Sequence, residues 1–217
     1  MADERELMAE REKTVDELRK RGVNPYANGF VPSHTTAEIA AKFAGAKMPE
    51  PDGPPVKGAP PTLLSTEKFS IAGRIIQIRD FGKATFVKVM DRAGELQVWM
   101  RKDLVGDAAW EIWKFVERGD FIGAVGGATI TKTGELTIVA DSFKLLTKAT
   151  RSLPEKFHGL SDQEIRYRQR YVDLVVNPEV RAVFKTRSQI VRGVRAFLDA
   201  RGFQEVETPM MHSIVGG

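Results

Sequence analysis

The alternation of apolar and polar residues is most regular between residues 84 and 100. Two runs with a period of two residues, Thr85–Met90 and Glu95–Met100, flank the short segment Asp91–Gly94. β-Branched and aromatic residues at this spacing predict a β-hairpin. We expect Gly94 to adopt the positive φ that such turns often require.

The hairpin has one apolar face and one mixed face, because alternate residues of a strand point to opposite sides. The predicted inward side chains are Val87, Val89, Leu96, Val98 and Met100. The predicted outward side chains are Phe86, Lys88, Gln97 and Trp99. An outward aromatic ring beside an amide and a cation suits stacking and hydrogen bonding with nucleic-acid bases. The alternative is that Phe86 belongs to the core of a sheet that is buried on both faces.

Three further strands and a helix complete the pattern. Phe69–Arg79 is the first strand, and Gly73 inside it is expected to mark a bulge or bend. Phe121–Thr131 and Leu136–Leu146 form a second hairpin. Asp107 is expected to cap a short amphipathic helix between the two hairpins, which would cover one end of a barrel. This order predicts a five-stranded oligonucleotide-binding (OB) barrel, whose nucleic-acid face includes strands two and three.

Two segments precede the barrel. Residues 1–44 form a predicted helical extension, in which one helix ends at Gly22 and Thr35 or Thr36 caps a second. Residues 45–62 contain six of the chain's 11 prolines. Such a segment is predicted to be an extended linker or insertion, because its composition cannot form a core.

The barrel is assigned to residues 63–148, and a basic hinge follows at residues 149–172. The cations of the hinge either lie along a phosphate backbone or form salt bridges, and the sequence leaves both alternatives open. Residues 173–217 form the start of an α+β domain. There, Asn177–Glu179 begins a long helix with a continuous apolar stripe, and the predicted strand Phe203–Thr208 follows. The stripe requires a partner surface, from further sequence or from another chain. The fold class is therefore mainly β plus α.

Composition narrows the function classes. A hydrophobic content of 42% and a charged content of 29% are typical of a soluble globular protein. No apolar run reaches the length that crosses a membrane, and the acidic N-terminus lacks the order of a signal peptide. The absence of cysteine excludes disulfides and thiolate chemistry, and it fits a cytoplasmic location. The three histidines, His34, His158 and His212, lie too far apart in sequence to indicate a zinc site.

Several segments carry a resemblance to a known family. Residues 201–211 contain a basic residue, a glycine, an aromatic residue and a strand ending in Pro209, and they resemble motif 1 of class II aminoacyl-tRNA synthetases. With a preceding OB barrel, the chain is similar to the subclass for lysine, aspartate or asparagine. The segments KFHGLSDQEIRYRQRYVDL, LRKRGVNPY and TKTGELTI resemble the lysyl-tRNA synthetase family in particular.

The resemblance implies that the barrel binds the anticodon loop of the tRNA for lysine. Phe86 matches a phenylalanine that stacks on an anticodon base, and Gln97 matches a glutamine that hydrogen-bonds the central uridine. Glu135 matches a turn glutamate near the same loop, and Arg74 and Arg79 match basic positions of the first strand. Because Arg74 and Arg79 have opposite parity, a regular strand would not place both on one face unless a bulge intervenes.

The resemblance also implies a dimer, although the apolar stripe could instead pack on the chain's own catalytic sheet. The residues matched to this interface are Ile190, Val194, Phe197 and Pro209. A weaker match places Gly216 or Gly217 near the bound lysine.

The complete enzyme is expected to be a lysine–tRNA ligase, which uses ATP and Mg²⁺ to join lysine to tRNA through lysyl-adenylate. Its catalytic residues belong to motifs 2 and 3, and no catalytic residue is predicted in this sequence. A chain of this sequence is therefore expected to bind tRNA and to form a homodimer, but not to make the adenylate. The alternative is a free-standing OB-fold module that binds tRNA or another RNA without catalysis.

Overall fold

The computed structural model describes residues 4–49, 60–154 and 160–211. The chain divides into two compact units, with the boundary between Ser152 and Leu153. Part of the proline-rich linker lies outside the described residues, and so do Gly216 and Gly217.

The first unit contains a closed five-stranded barrel. Its strands are β1 (Phe69–Asp80), β2 (Ala84–Met90), β3 (Glu95–Arg101), β4 (Phe121–Ile130) and β5 (Leu136–Thr147). The strands are arranged in the order β1-β2-β3-β5-β4, and β4 pairs with β1 to close the barrel. The β3–β5 pair is parallel, whereas the other pairs are antiparallel. This arrangement confirms the predicted OB fold.

Helices flank the barrel and form most of the second unit. The first unit contains α1 (Glu4–Lys20), α2 (Thr36–Lys42), α3 (Lys102–Val105) and α4 (Asp107–Trp113). The second contains α5 (Gln163–Arg168), α6 (Arg170–Val176) and α7 (Pro178–Asp199). The predicted cap of α4 is wrong by one residue. Gly106 is the N-cap, and the Asp107 carboxylate instead pairs with Lys102 at 2.9 Å.

The hairpin faces agree with the prediction from the sequence. Its inward side chains are almost fully buried, and they pack in one cluster with Ile71 and Ile75 of β1. Trp110 and Trp113 of α4 join the same cluster. The Trp113 indole donates to the Thr85 hydroxyl over 3.3 Å. Helix α4 therefore completes the barrel core.

Strand β1 contains a β-bulge between Ile75 and Gln77. Before the bulge, odd-numbered residues point inward, whereas after it the even-numbered Ile78 packs against the core. Arg74 and Arg79 therefore share the outer face despite their opposite parity. An inserted residue reverses the alternation of every side chain that follows it.

Gly73 does not form this bulge, although it lies in the same strand. A Cβ atom at Gly73 would lie only 2.4 Å from the carbonyl oxygen of Met90 in the neighbouring strand. The glycine instead allows β1 and β2 to approach closely.

The Asp91 side chain holds the turn of the first hairpin. Its Oδ1 atom accepts from the backbone N–H groups of Ala93 and Gly94, over 2.7 and 2.9 Å. The same carboxylate accepts from the N–H and the hydroxyl of Thr36, both over 2.7 Å, and so anchors α2. The expectation of a positive φ at Gly94 is wrong, because these hydrogen bonds stabilise a turn that does not need it. Burial opposes ionisation of Asp91, but the four hydrogen bonds outweigh it and lower its pKa.

A buried ion pair ties β4 to the end of β5. The Lys148 ammonium is fully buried, lies 2.9 Å from the Asp120 carboxylate and donates to the Phe115 carbonyl over 2.7 Å. Burial raises the pKa of Asp120, although the Lys148 charge and backbone donors oppose this effect. Arg11 of α1 donates to the Ala149 carbonyl over 3.0 Å. The N-terminal helix is therefore attached at this end of the barrel.

In the second unit, Asp173 is buried among basic and amide groups. It accepts from Arg166 over 3.0 Å, from Arg170, and from the Asn177 amide over 2.6 Å. Burial opposes ionisation of Asp173, but these partners outweigh it and lower the pKa. For these two arginines the structure favours the salt-bridge alternative over phosphate contact.

Helix α7 begins at Pro178 as predicted, and its apolar residues Ile190, Val194 and Phe197 are exposed. Residues 203–209 are irregular. The predicted strand Phe203–Thr208 does not form, because it pairs with no strand among the described residues. No described helix is both long enough and apolar enough to cross a membrane.

Gly126→Ala is expected to destabilise the barrel. A Cβ atom there would lie 1.8 Å from the Val139 carbonyl oxygen, so the β4–β5 pair must shift, at a cost of about 3 kcal/mol. All three tryptophans lie in the first unit, so urea unfolding followed by tryptophan fluorescence measures this change. Gly193→Ala in α7 is the control, because no atom lies within 4 Å of its added Cβ. Equal midpoints for the two variants would contradict this packing argument.

Asp91→Asn is expected to destabilise the protein in a pH-dependent manner. Because folding lowers the Asp91 pKa, its contribution is fully present above the ordinary value of 3.8 and is lost as pH falls through the folded value. The difference in free energy of unfolding between wild type and variant should therefore shrink from about pH 5 toward about pH 2. Urea titrations at several pH values measure it, and a constant difference would contradict the assignment.

Candidate nucleic-acid interface

Two rows of side chains cross the outer face of the barrel. Strand register places Arg79, Phe86 and Trp99 side by side on β1, β2 and β3. The neighbouring row contains Gln77, Lys88, Gln97 and Thr137, from β1, β2, β3 and β5. The first row is largely aromatic and the second is polar, so a stacking surface lies beside a hydrogen-bonding surface.

The aromatic row is built on Trp99. The Phe86 and Trp99 rings stack with their centroids 5.0 Å apart and an angle of 20° between their planes. Arg101 follows Trp99 on the same face of strand β3, and its guanidinium lies 5.3 Å from the centre of the Trp99 ring. Phe81, in the turn before β2, meets Phe86 edge-on at 6.0 Å and is 67% exposed. Trp99 therefore fixes the plane of Phe86, and the alternative of a Phe86 buried in the core does not apply.

The Gln97 amide is held in one orientation. Its Nε2 donates to the Thr137 hydroxyl over 2.8 Å, and its Oε1 accepts from Arg79 over 3.2 Å. Gln97 lies on the outer face as predicted, but it is only 4% exposed, and its amide is hydrogen-bonded to Thr137 and Arg79. One N–H and one lone pair of the amide remain for a ligand.

Glu135 lies between the two cations of this surface. Its carboxylate is 3.5 Å from Arg79 and 3.4 Å from Lys88. The parallel β3–β5 pairing brings the β4–β5 turn to this position, because Thr137 lies opposite Gln97. Arg79, Lys88 and Glu135 together form a charged border around the Gln97 amide.

Arg74 lies outside this cluster, although it shares the outer face. Its guanidinium packs 4.3 Å from the centre of the Phe121 ring and donates to the Gly119 carbonyl over 3.2 Å. Burial lowers the pKa of Arg74, although the Asp120 charge opposes this effect. The geometry therefore gives Arg74 contacts within the barrel and brings together Phe86, Gln97, Glu135 and Arg79.

Phe81 and Thr137 are site residues that the sequence did not predict, and the stacking of Trp99 on Phe86 was not predicted either. The ring pair was accessible from the sequence, since counting outward from the turn Asp91–Gly94 places Trp99 opposite Phe86. No pattern in the sequence indicated Thr137 as a site residue, because its place beside Gln97 depends on parallel pairing between strands that are distant in the chain.

Comparisons with known proteins agree with the barrel fold. Residues 69–146 match the family model described as an OB-fold nucleic acid binding domain, and residues 162–217 match that of class II tRNA synthetases (D, K and N).

Relatives match nearly the whole chain. A lysine–tRNA ligase of Anaeromyxobacter dehalogenans (strain 2CP-C) is 52% identical, over 96% of this chain and 39% of its own length. Lysine–tRNA ligases of Magnetococcus marinus and Xanthomonas oryzae are 45% and 46% identical, over 99% and 100% of this chain and 41% of their own lengths. The chain thus spans about two fifths of the length of these relatives. With an OB barrel followed by a synthetase segment, the chain is similar to the class II tRNA synthetases of the D, K and N group, and to the lysine–tRNA ligases among them.

Proposed function

We propose that this chain is the tRNA-binding portion of a lysine–tRNA ligase, and that its barrel binds the anticodon loop of the tRNA for lysine. The Phe86 ring, stacked on Trp99 beside the oriented Gln97 amide, carries this proposal. A flat apolar ring accepts any base, whereas an amide of fixed orientation discriminates between bases. The surface therefore combines affinity with selectivity.

The residues divide the work of recognition. Phe86 stacks on one base, and Trp99 supports it from the side away from the RNA. Gln97 offers an N–H and an oxygen, which complement the O4 atom and the N3–H group of uridine. Arg79 and Lys88 provide positive charge for the phosphates, and Glu135 limits that charge through its two ion pairs.

We also propose a homodimer. Ile190, Val194 and Phe197 leave an apolar face of α7 exposed, and Pro209 is exposed as well. A second copy of the chain would remove this apolar surface from water. The enzyme's own catalytic sheet is the competing occupant of this face.

The similarity to this family implies ATP, lysine and Mg²⁺ for the complete enzyme, and a cytoplasmic location. No group of three or more His, Cys, Asp or Glu side chains among the described residues is arranged to hold a metal ion. We therefore assign Mg²⁺ to no described residue. The match of Gly216 or Gly217 to a lysine-binding glycine remains a prediction.

Phe86→Ala is expected to weaken binding of an anticodon stem-loop of the tRNA for lysine by about tenfold, because stacking contributes roughly 1–3 kcal/mol per base. Fluorescence anisotropy of a labelled stem-loop measures the dissociation constant. Tyr26→Ala is the matched control, since Tyr26 is an exposed aromatic residue before the barrel. Thermal unfolding verifies that each variant is folded. Equal affinity of wild type and Phe86→Ala would refute the stacking role.

Gln97→Leu is expected to reduce the preference for uridine over cytidine at the central anticodon position. The leucine has a similar volume but lacks the N–H and oxygen that pair with the base, so the preference should fall by about tenfold or more. Anisotropy titrations with the two stem-loops give the ratio of dissociation constants. An unchanged ratio would remove Gln97 from base recognition and leave the stacking role of Phe86 intact.

A further inference from the structure

We propose that Thr137 sets the choice between uridine and cytidine by fixing the direction of the Gln97 amide. This inference rests on the proposed function, because it concerns the amide that is assigned to the base. Thr137 would be a positioning residue, which acts on the RNA only through Gln97.

The direction of the amide follows from a chain of three groups. The Thr137 hydroxyl donates to the Glu135 carbonyl over 3.0 Å, so its single proton is committed. Toward Gln97 the hydroxyl can therefore only accept, and the nearer amide atom, at 2.8 Å, must be the Nε2 donor. The Oε1 atom consequently lies on the other side, where it accepts from Arg79.

Amide direction matters because uridine and cytidine present opposite patterns. Uridine offers an N3–H donor and an O4 acceptor, whereas cytidine offers an N3 acceptor and an N4 amino donor. An amide that is free to rotate by 180° would pair equally well with either base. An amide held in one direction pairs with one base and places like groups against the other, which leaves buried polar groups unpaired.

Thr137 holds the Gln97 amide more rigidly than Arg79 does. The Thr137 side chain is wholly buried, whereas the Arg79 side chain is 48% exposed and is shared with Glu135. Arg79 can follow a phosphate when RNA covers the surface. Thr137 cannot move without disturbing the β3–β5 pair, so it keeps the amide direction when the base arrives.

The test is the ratio of dissociation constants for stem-loops with uridine or cytidine at the central anticodon position. Thr137→Val keeps the shape of the side chain and removes the hydroxyl, so the preference for uridine should fall about three- to tenfold. Thr137→Ser restores the hydroxyl and should recover most of the preference. Tryptophan fluorescence and urea unfolding verify that both variants are folded, and Thr137→Ala replaces the valine variant if that one is not.

The outcomes separate this inference from the proposed function. If wild type binds the uridine stem-loop with preference and Thr137→Val keeps the full ratio, the positioning role is wrong and the proposed function stands. A uniform loss of affinity for both stem-loops, with the ratio unchanged, also overturns the inference, because it indicates only a structural role. If wild type binds neither stem-loop, the proposed function and this inference both fail.

Discussion

The β-bulge between Ile75 and Gln77 determines which side chains of β1 reach the outer surface of the barrel, where we propose that RNA binds. A regular β1 would turn the Arg79 guanidinium into the apolar core and expose Ile78. Burial of an unpaired guanidinium costs roughly several kcal/mol. This cost exceeds the contribution of any single contact at the surface. The extra residue instead places Arg79 beside Phe86, where it reaches both Gln97 and Glu135. One inserted residue thus adds Arg79 to the charged border of the surface without an additional strand.

Closure of the barrel supplies the remaining partners. Glu135 and Thr137 are distant from Gln97 in sequence, and only the parallel β3–β5 pair brings them together. At the far end of β5, the buried Lys148–Asp120 ion pair joins the residue after β5 to the residue before β4. The two ends of β5 therefore have different roles. One end of β5 attaches the N-terminal helix through buried charge, and the other presents polar groups to solvent.

The sequence predicted the strands and the hairpin faces because period-two alternation is a local signal. It also placed Phe86 and Gln97 together on the outer face, since the alternation assigns both to the side opposite the apolar core. Pattern alone could not locate the bulge, because Ile76 resembles its neighbours. Glu135 came only from family resemblance, because its place depends on strand pairing. The strand expected at Phe203–Thr208 was wrong, because an extended segment becomes a strand only when another strand accepts its hydrogen bonds.

Under the proposed function, the burial of Gln97 explains how few contacts can select a base. Gln97 is 4% exposed and already has partners for half of its hydrogen-bonding capacity. A wrong base that covers such an amide leaves groups unpaired on both sides of the contact. An exposed glutamine would recover those hydrogen bonds from solvent and would lose most of its selectivity. Under the proposed function, selectivity at this surface therefore depends less on the number of contacts than on the buried Thr137 hydroxyl that holds the amide in one orientation.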